Sequence, residues 1–414
     1  MVILYILLVL VLVILARTLM FTPKAEEPRS FEEIELDRRA AEDSLAALVR
    51  CRTVSYEDAS LEDSAEFEKL IDLLPKLYPE VFRTCPLTQL PGRALLFRWE
   101  GKSRGEAAVL MAHYDVVPVE EENWSRPAFE ALIEDGVMWG RGTLDTKVTF
   151  NGILSAAENL IRQGFRPEND VYFAFSGGEE INGPGAEHIV SFFKEQGIAL
   201  KLVLDEGGAV VEDVFPGVKG QCALIGIAEK GLLNLEYSVS GAGGHASAPA
   251  PHTPVGKLSL ACAAVEAHPF RMHVTEPVAK MFDTLGRRSS FLYRMIFANM
   301  WAFGCILDLL TRKTGGELNA LLRTTVAFTQ MRGSKAPNVI PPTASMVSNL
   351  RLNPADSVAS VTERIRKVVG DEDVRSQPSP AWSRAPSPAP TVRDGGSSPT
   401  PAPEHGRAAS FPLI

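Results

Sequence analysis

The chain has 414 residues, is 45% hydrophobic and carries a formal net charge of −9. That is enough apolar side chain to bury a core in each of about two domains, and the wrong sign of charge for a nucleic-acid binder. Its five cysteines (51, 85, 222, 262 and 305) are odd in number and irregularly spaced, which excludes a full disulfide framework and a CxxC zinc ribbon.

In chain order, residues 1–21 read MVILYILLVLVLVILARTLMF, with no charged side chain from Met1 to Ala16. As a helix they reach about 31 Å, which predicts a single N-terminal membrane span. A cleaved signal peptide fits less well, since there is no basic leading region and no clear A-x-A site. Arg17, Lys24 and Arg29 follow the span and by the positive-inside rule favour a cytosolic body. Glu32 to Val49 has helical periodicity, with Ile34, Leu36, Leu45 and Leu48 among its apolar positions. The runs at 107–112, 171–176 and 200–205 predict buried strands, alternating with helices over 148–163 and 185–196. That alternation predicts an α/β domain with parallel strands over 22–228.

From residue 229 the pattern changes. GLLNLEYSVSG alternates as a half-exposed strand, a helix is predicted over 255–267, and a long apolar segment runs from Phe291 to Leu322. TTVAFTQMRG and TASMVSNLRLNP read as strands, followed by a helix over 357–369. This predicts a smaller α+β domain, 229–370, with one antiparallel sheet and helices on one face. Beyond about 371 the chain is rich in Pro, Ser, Ala and Gly without periodicity, which predicts a disordered tail over 371–414.

Four motifs carry chemistry. MAHYDVVP holds His113 and Asp115, two residues apart and so on one side of an extended segment. WGRGTLDTK holds Asp145, SGGEE holds Glu179 and Glu180, and LVLDEGG holds Asp205. Each alone has an ordinary reading as a surface loop, a turn or a solvated helix start. Together, mostly at strand ends, they offer one imidazole and several carboxylates, the donor set of a dinuclear zinc or manganese hydrolase. His188, His252, His268 and His273 have no acidic motif beside them and read as structural or exposed.

AHYDVVPV, GVMWGRGTLDTK, EEINGPGAEHI, LDEGG, EKGLLNLEYSVSGAGGHASAP and NVIPPTA resemble peptidase family M20, the zinc aminoacylase and carboxypeptidase group, over about residues 35–370. Within it the chain looks most similar to the N-fatty-acyl-amino-acid synthase/hydrolase branch, whose members are often secreted; that opposes the charge-based orientation and leaves the side of the membrane open. The resemblance implies a zinc-peptidase-like mixed sheet with helices on both faces, and an inserted ferredoxin-like lid through which a homodimer forms. It implies hydrolysis of an amide bond beside a free carboxylate, by a water activated between two zinc ions. His113 and Asp205 would hold one ion, Asp145 would bridge, and Glu180 would hold the second. Glu179 would be the general base, Asp115 would orient His113, and His245 in GGHAS would stabilise the oxyanion. Asn338 and Arg351 would meet the substrate carboxylate, and the Asp145–Thr146 bond is expected to be cis. The apolar stretch at 291–322 reads equally as a site for a fatty acyl chain or as lid core.

Two departures stand out. Gly178 occupies a place where many relatives have Asp. The family's closing segment, which ends in an HG motif and completes the second zinc site, has no counterpart except His405–Gly406 in the tail. The chain therefore reads as a truncated or frameshifted family hydrolase, with apolar surface expected to be exposed where that segment would pack. Two alternatives are a remnant holding one metal at His113, Asp145 and Asp205, and a non-catalytic, membrane-anchored binding or dimerisation module.

Overall fold

A computed structural model describes residues 1–24, 36–215 and 217–379. Among them, helix α1 (Val2–Met20) is the one long and apolar enough to cross a membrane, a test that a signal sequence also passes. The chain divides into two compact units, one within 28–206 and the other formed by the N-terminal residues with those from 207 onward.

The first unit opens with α2 (Arg38–Val49), capped by the Asp37 carboxylate on the Ala40 amide. The predicted residues 32–35 of that helix lie outside the described residues. Helices α3 (Ser64–Leu77) and α4 (Pro79–Thr84) follow, then strands β1 (Leu87–Leu90), β2 (Ala94–Trp99) and β3 (Ala107–His113). A small hairpin, β4 (Leu132–Glu134) and β5 (Val137–Trp139), precedes α5 (Lys147–Arg162), β6 (Val171–Ser176), α6 (Gly185–Glu195) and β7 (Leu200–Leu204). The sheet order is β1-β2-β6-β3-β7. β3 runs parallel to β6 and β7, as the alternation of strands and helices predicts. β1 and β2 make the sheet mixed, as the resemblance implies. They form a hairpin through a turn with Gly92 and Arg93 at φ of 73° and 57°, and β2 pairs antiparallel with β6.

Both faces of β2, β3 and β6 are covered, which is why they read as apolar runs, whereas β7 at the sheet edge, predicted as a buried strand, is largely exposed. Leu95, Phe97 and Phe175 point into one core with Phe67, Leu70, Phe150 and Leu154 from the helices. Leu96, Val109, Tyr172 and Ala174 point into the other, against Ile189 and Phe193 of α6.

The second unit continues with a hairpin, β8 (Ala209–Glu212) and β9 (Gln221–Leu224), then β10 (Gly231–Ser240), β11 (Gly244–His245) and α7 (Pro254–Ala267). The long apolar segment folds as α9 (Phe291–Ala298), α10 (Met300–Thr314) and α11 (Gly316–Leu322), after α8 (Glu276–Arg288). Strands β12 (Thr325–Arg332), β13 (Val339–Ile340) and β14 (Thr343–Leu352), helix α12 (Val358–Val369) and strand β15 (Arg375–Pro378) complete it. The sheet β12-β14-β10-β15 is antiparallel throughout. Leu233, Leu235, Tyr237 and Val239 of β10 meet α7 and α12 on one face. α12 begins with a reciprocal Ser357–Ser360 capping box and ends at Gly370 in the left-handed conformation. Residues 375–378, read from sequence as tail, instead pair along the free edge of β10. The remainder of the tail, from 380 and including His405, lies outside the described residues.

Candidate active site

His113 ends β3 and is 2% exposed. Its Nδ1 lies 3.0 Å from the Asp115 carbonyl oxygen and 3.4 Å from the Asp115 carboxylate. Donation of Nδ1–H to that carbonyl leaves Nε2 facing the carboxylates, 3.0 Å from Asp145 Oδ1, 3.2 Å from Glu206 Oε1 and 4.0 Å from Glu179 Oε2.

Asp115 is fully buried, and its carboxylate joins three segments. It accepts the Ser55 hydroxyl at 2.8 Å and the backbone amides of Glu179 and Glu180, each at 3.1 Å. Those bonds hold the SGGEE turn beside the end of β3. Gly177 is required in that turn, because a Cβ there would collide with the Tyr114 ring. The Asp145–Thr146 bond is cis, as the resemblance implies. Just beyond it, the buried Lys147 ammonium donates to the carbonyls of Leu48 (3.0 Å) and Cys51 (2.6 Å), tying the start of α5 to the end of α2.

The charges are strongly coupled. Burial alone would lower the pKa of His113; hydrogen bonds to Asp115 and Glu206, with their charges, outweigh it and push it up to about 11. Burial, reinforced by Asp145, Asp115 and Glu179, raises Glu180 to about 7, with His113 opposing. The hydrogen bond from His113 holds Glu206 below the usual carboxylate range. The carboxylates that raise the pKa of His113 would also favour a cation placed among them. Two donor sets meet there: His113 with Asp145 and Glu180, and His113 with Glu179 and Glu206, the ligand atoms of each lying within 4.8 Å of one another. Imidazole with several carboxylates suits a divalent transition ion.

Of the residues singled out from sequence, His113, Asp115, Asp145, Glu179 and Glu180 come together here. Asp205 is exposed, and its neighbour Glu206 faces His113 instead. The adjacent carboxylates of LDEGG were the signal for Glu206; strand alternation alone does not say which of the two turns inward. Ser55 and Lys147 carried no motif signal of their own. His245, Asn338 and Arg351 belong to the second unit. His245 pairs with Val339 across β11–β13, and the Asn338 carbonyl accepts the Ala246 amide, so these two are neighbours. Arg351 lies eight positions along β14 from its start at Thr343, about 26 Å at the strand rise, and is not brought to them.

A buried imidazole ringed by carboxylates at the carboxyl ends of parallel strands is the donor arrangement that a metal-dependent hydrolase needs. The family model for peptidase family M20/M25/M40 matches residues 109–390. An N-fatty-acyl-amino acid synthase/hydrolase of Xenopus tropicalis is 34% identical over 348 residues, covering 83% of this chain and 68% of the relative. A probable carboxypeptidase S-like protein of Dictyostelium discoideum is 34% identical over 353 residues, covering 84% and 67%. Among solved structures, an M20 family metallo-carboxypeptidase from Sulfolobus solfataricus aligns with a TM-score of 0.55 at 18% identity, covering 84% of this chain and 79% of that one. Human carnosine dipeptidase 1 aligns at 0.54 and 13%, covering 85% and 79%, which supports the fold. The chain belongs to peptidase family M20/M25/M40 and is an enzyme of its amidohydrolase type.

Proposed function

We propose that this protein hydrolyses amide bonds next to a free carboxylate, in N-acyl amino acids or short peptides, with zinc bound at the His113 cluster. The carrying observation is the His113 imidazole, the one buried imidazole among the described residues, faced by Asp145, Glu179, Glu180 and Glu206. The names of the two relatives support the substrate class, since an N-fatty-acyl amino acid and a carboxypeptidase substrate both end in a carboxylate.

His113, Asp145 and Glu180 would hold the metal, and the Asp205–Glu206 pair would supply a further carboxylate. Zinc held there contributes Lewis acidity toward the amide carbonyl and makes water more acidic. Glu179 takes the proton of the attacking water and returns it to the leaving nitrogen. Asp115 fixes the His113 ring so that Nε2 is the ligand atom. His245 donates to the oxyanion, a contribution of about 3–4 kcal/mol for such a donor. Asn338 or Arg351 receives the substrate carboxylate. Helix α1 anchors the enzyme in a membrane, and residues 229–370 mediate self-association.

The test is elemental analysis of the full chain in detergent, beside hydrolysis of a fatty-acyl amino acid and of a dipeptide. Bound zinc that disappears in His113→Ala, with turnover of either substrate, supports the reading. A chain without zinc and without turnover would overturn it in favour of a non-catalytic membrane-anchored binding or dimerisation module.

A further inference from the structure

Helix α1 is exposed along most of its length, yet its last turns are locked to α9. Arg17 donates to the Ala298 carbonyl through Nε (3.2 Å) and Nη2 (3.1 Å). The fully buried Asn299 side chain reaches the Ile14 carbonyl and the Thr18 hydroxyl, each at 3.2 Å. Arg287 of α8 donates to the Thr22 carbonyl at 3.0 Å and stacks over the Phe21 ring at 4.3 Å.

These contacts set a depth. The 19 residues of α1 reach about 28 Å, close to the thickness of a bilayer's hydrocarbon layer, so a spanning α1 needs its last turns within that layer. Ile14 lies six residues before Met20, about 9 Å from the helix end. The Ala298–Asn299 junction is hydrogen-bonded at that level. Helices α9 and α10 diverge from this junction with a bend of 107°.

The surface they present is apolar. Phe291 and Leu292 of α9 and Trp301, Ile306, Leu309 and Leu310 of α10 are all more than half exposed. Trp301, Cys305 and Leu309 are spaced by four along one face of α10. Asp308, the acidic residue of α10, is tied to Arg323 and Arg312 rather than left to solvent. Arg312 and Lys313 close the helix, where long basic side chains reach headgroups. At 15 residues α10 is short for a span, and an in-plane helix buried about 5–10 Å at the headgroup–acyl boundary matches the depth set by α1.

We infer that α9 and α10 form an in-plane membrane contact, laying Phe291, Leu292, Trp301, Ile306, Leu309 and Leu310 into the same phospholipid leaflet from which α1 emerges. The inference rests on α1 spanning a membrane. The free, exposed Cys305 lies on the contacting face and provides the probe. The full chain carrying Cys262→Ser is labelled at Cys305 with an environment-sensitive fluorophore and reconstituted into phosphatidylcholine vesicles containing lipids with doxyl groups on the acyl chains. Labels at Ile6→Cys in α1 and at Ser334→Cys, beyond the far end of β12, are read in parallel, each in a chain with Cys305→Ser. The Cys305 and Ile6→Cys labels should lose most of their emission while the Ser334→Cys label keeps it. A quenched Ile6→Cys label with an unquenched Cys305 label would leave the anchor intact and overturn the in-plane contact. Loss of quenching at both would overturn the anchor and with it this inference. A Cys305–Cys305 cross-linked dimer without quenching would assign the face to a second copy instead.

Discussion

Strand β6 of the five-stranded sheet is buried over its four central residues, whereas β10 of the four-stranded sheet alternates buried and half-exposed side chains along its length. The first sheet has helices on both faces, the second on one. Where both faces are covered, the strand ends are the places left for charge. His113 at the end of β3, Glu179 and Glu180 after β6, and Glu206 after β7 gather there. Where one face is open, polar groups line the strand itself, and His245 is carried on a short pairing beyond its end. A strand closed on both sides thus concentrates chemistry at its tip.

The sharpest way to break this contrast is at the tip. Glu179→Gln should lower kcat by about 10²–10⁴-fold while zinc content is retained; a variant that turns over normally would remove Glu179 as the base. Next is the doubly covered strand. Phe175→Ala, 4.3 Å between ring centroids from Phe150, should cost about 3–5 kcal/mol in chemical denaturation in detergent. A helix terminus gives a smaller effect: Ser357→Ala removes the acceptor for the Ser360 amide, one half of the capping box on α12, and should cost about 1 kcal/mol. The open face of β10 should be most forgiving, with Ser238→Val shifting stability by less than about 0.5 kcal/mol. Equal losses from Phe175→Ala and Ser238→Val would erase the distinction between the two sheets.

A pH profile sharpens it further. Burial, aided by Arg351, pushes the Lys230 ammonium down to about 8, where it donates to the Ala320 and Arg323 carbonyls. The unfolded lysine titrates near 10.5. Between those values the unfolded chain binds a proton that the folded chain lacks, so stability should rise with pH across the window; below about 8 the cost is complete. Denaturation curves at the two ends of the window should converge toward those of Lys230→Met as pH rises. A constant separation between the two proteins would show that burial leaves the ammonium unperturbed.

Much of this was legible in the residues. The runs ending at His113, Ser176 and Leu204 are apolar enough to be read as strands, and the motifs after them name most of the cluster. β1 and β2 were not, because a four-residue edge strand and a six-residue run joined by a tight turn leave too short a pattern. α8 passed unread although Val278, Met281, Phe282 and Leu285 recur at helical spacing along it. β15 was hidden because RSQP has no strand propensity; what holds it is the unpaired edge of β10, a tertiary fact. Glu206 over Asp205 is likewise decided by how β7 ends against β3. Arg351 was placed by motif, whereas its distance from His245 follows from strand register.

The Asp115 carboxylate has a kinetic consequence. By accepting the Glu179 and Glu180 amides, it makes two peptide hydrogens of a surface turn depend on a buried acid that also holds Ser55. Deuterium uptake at those two positions should be slow and correlated, released by the same local opening. Glu179 and Glu180 should therefore open and close with Asp115 as one unit, and the turn that carries the proposed general base should exchange like core rather than like loop.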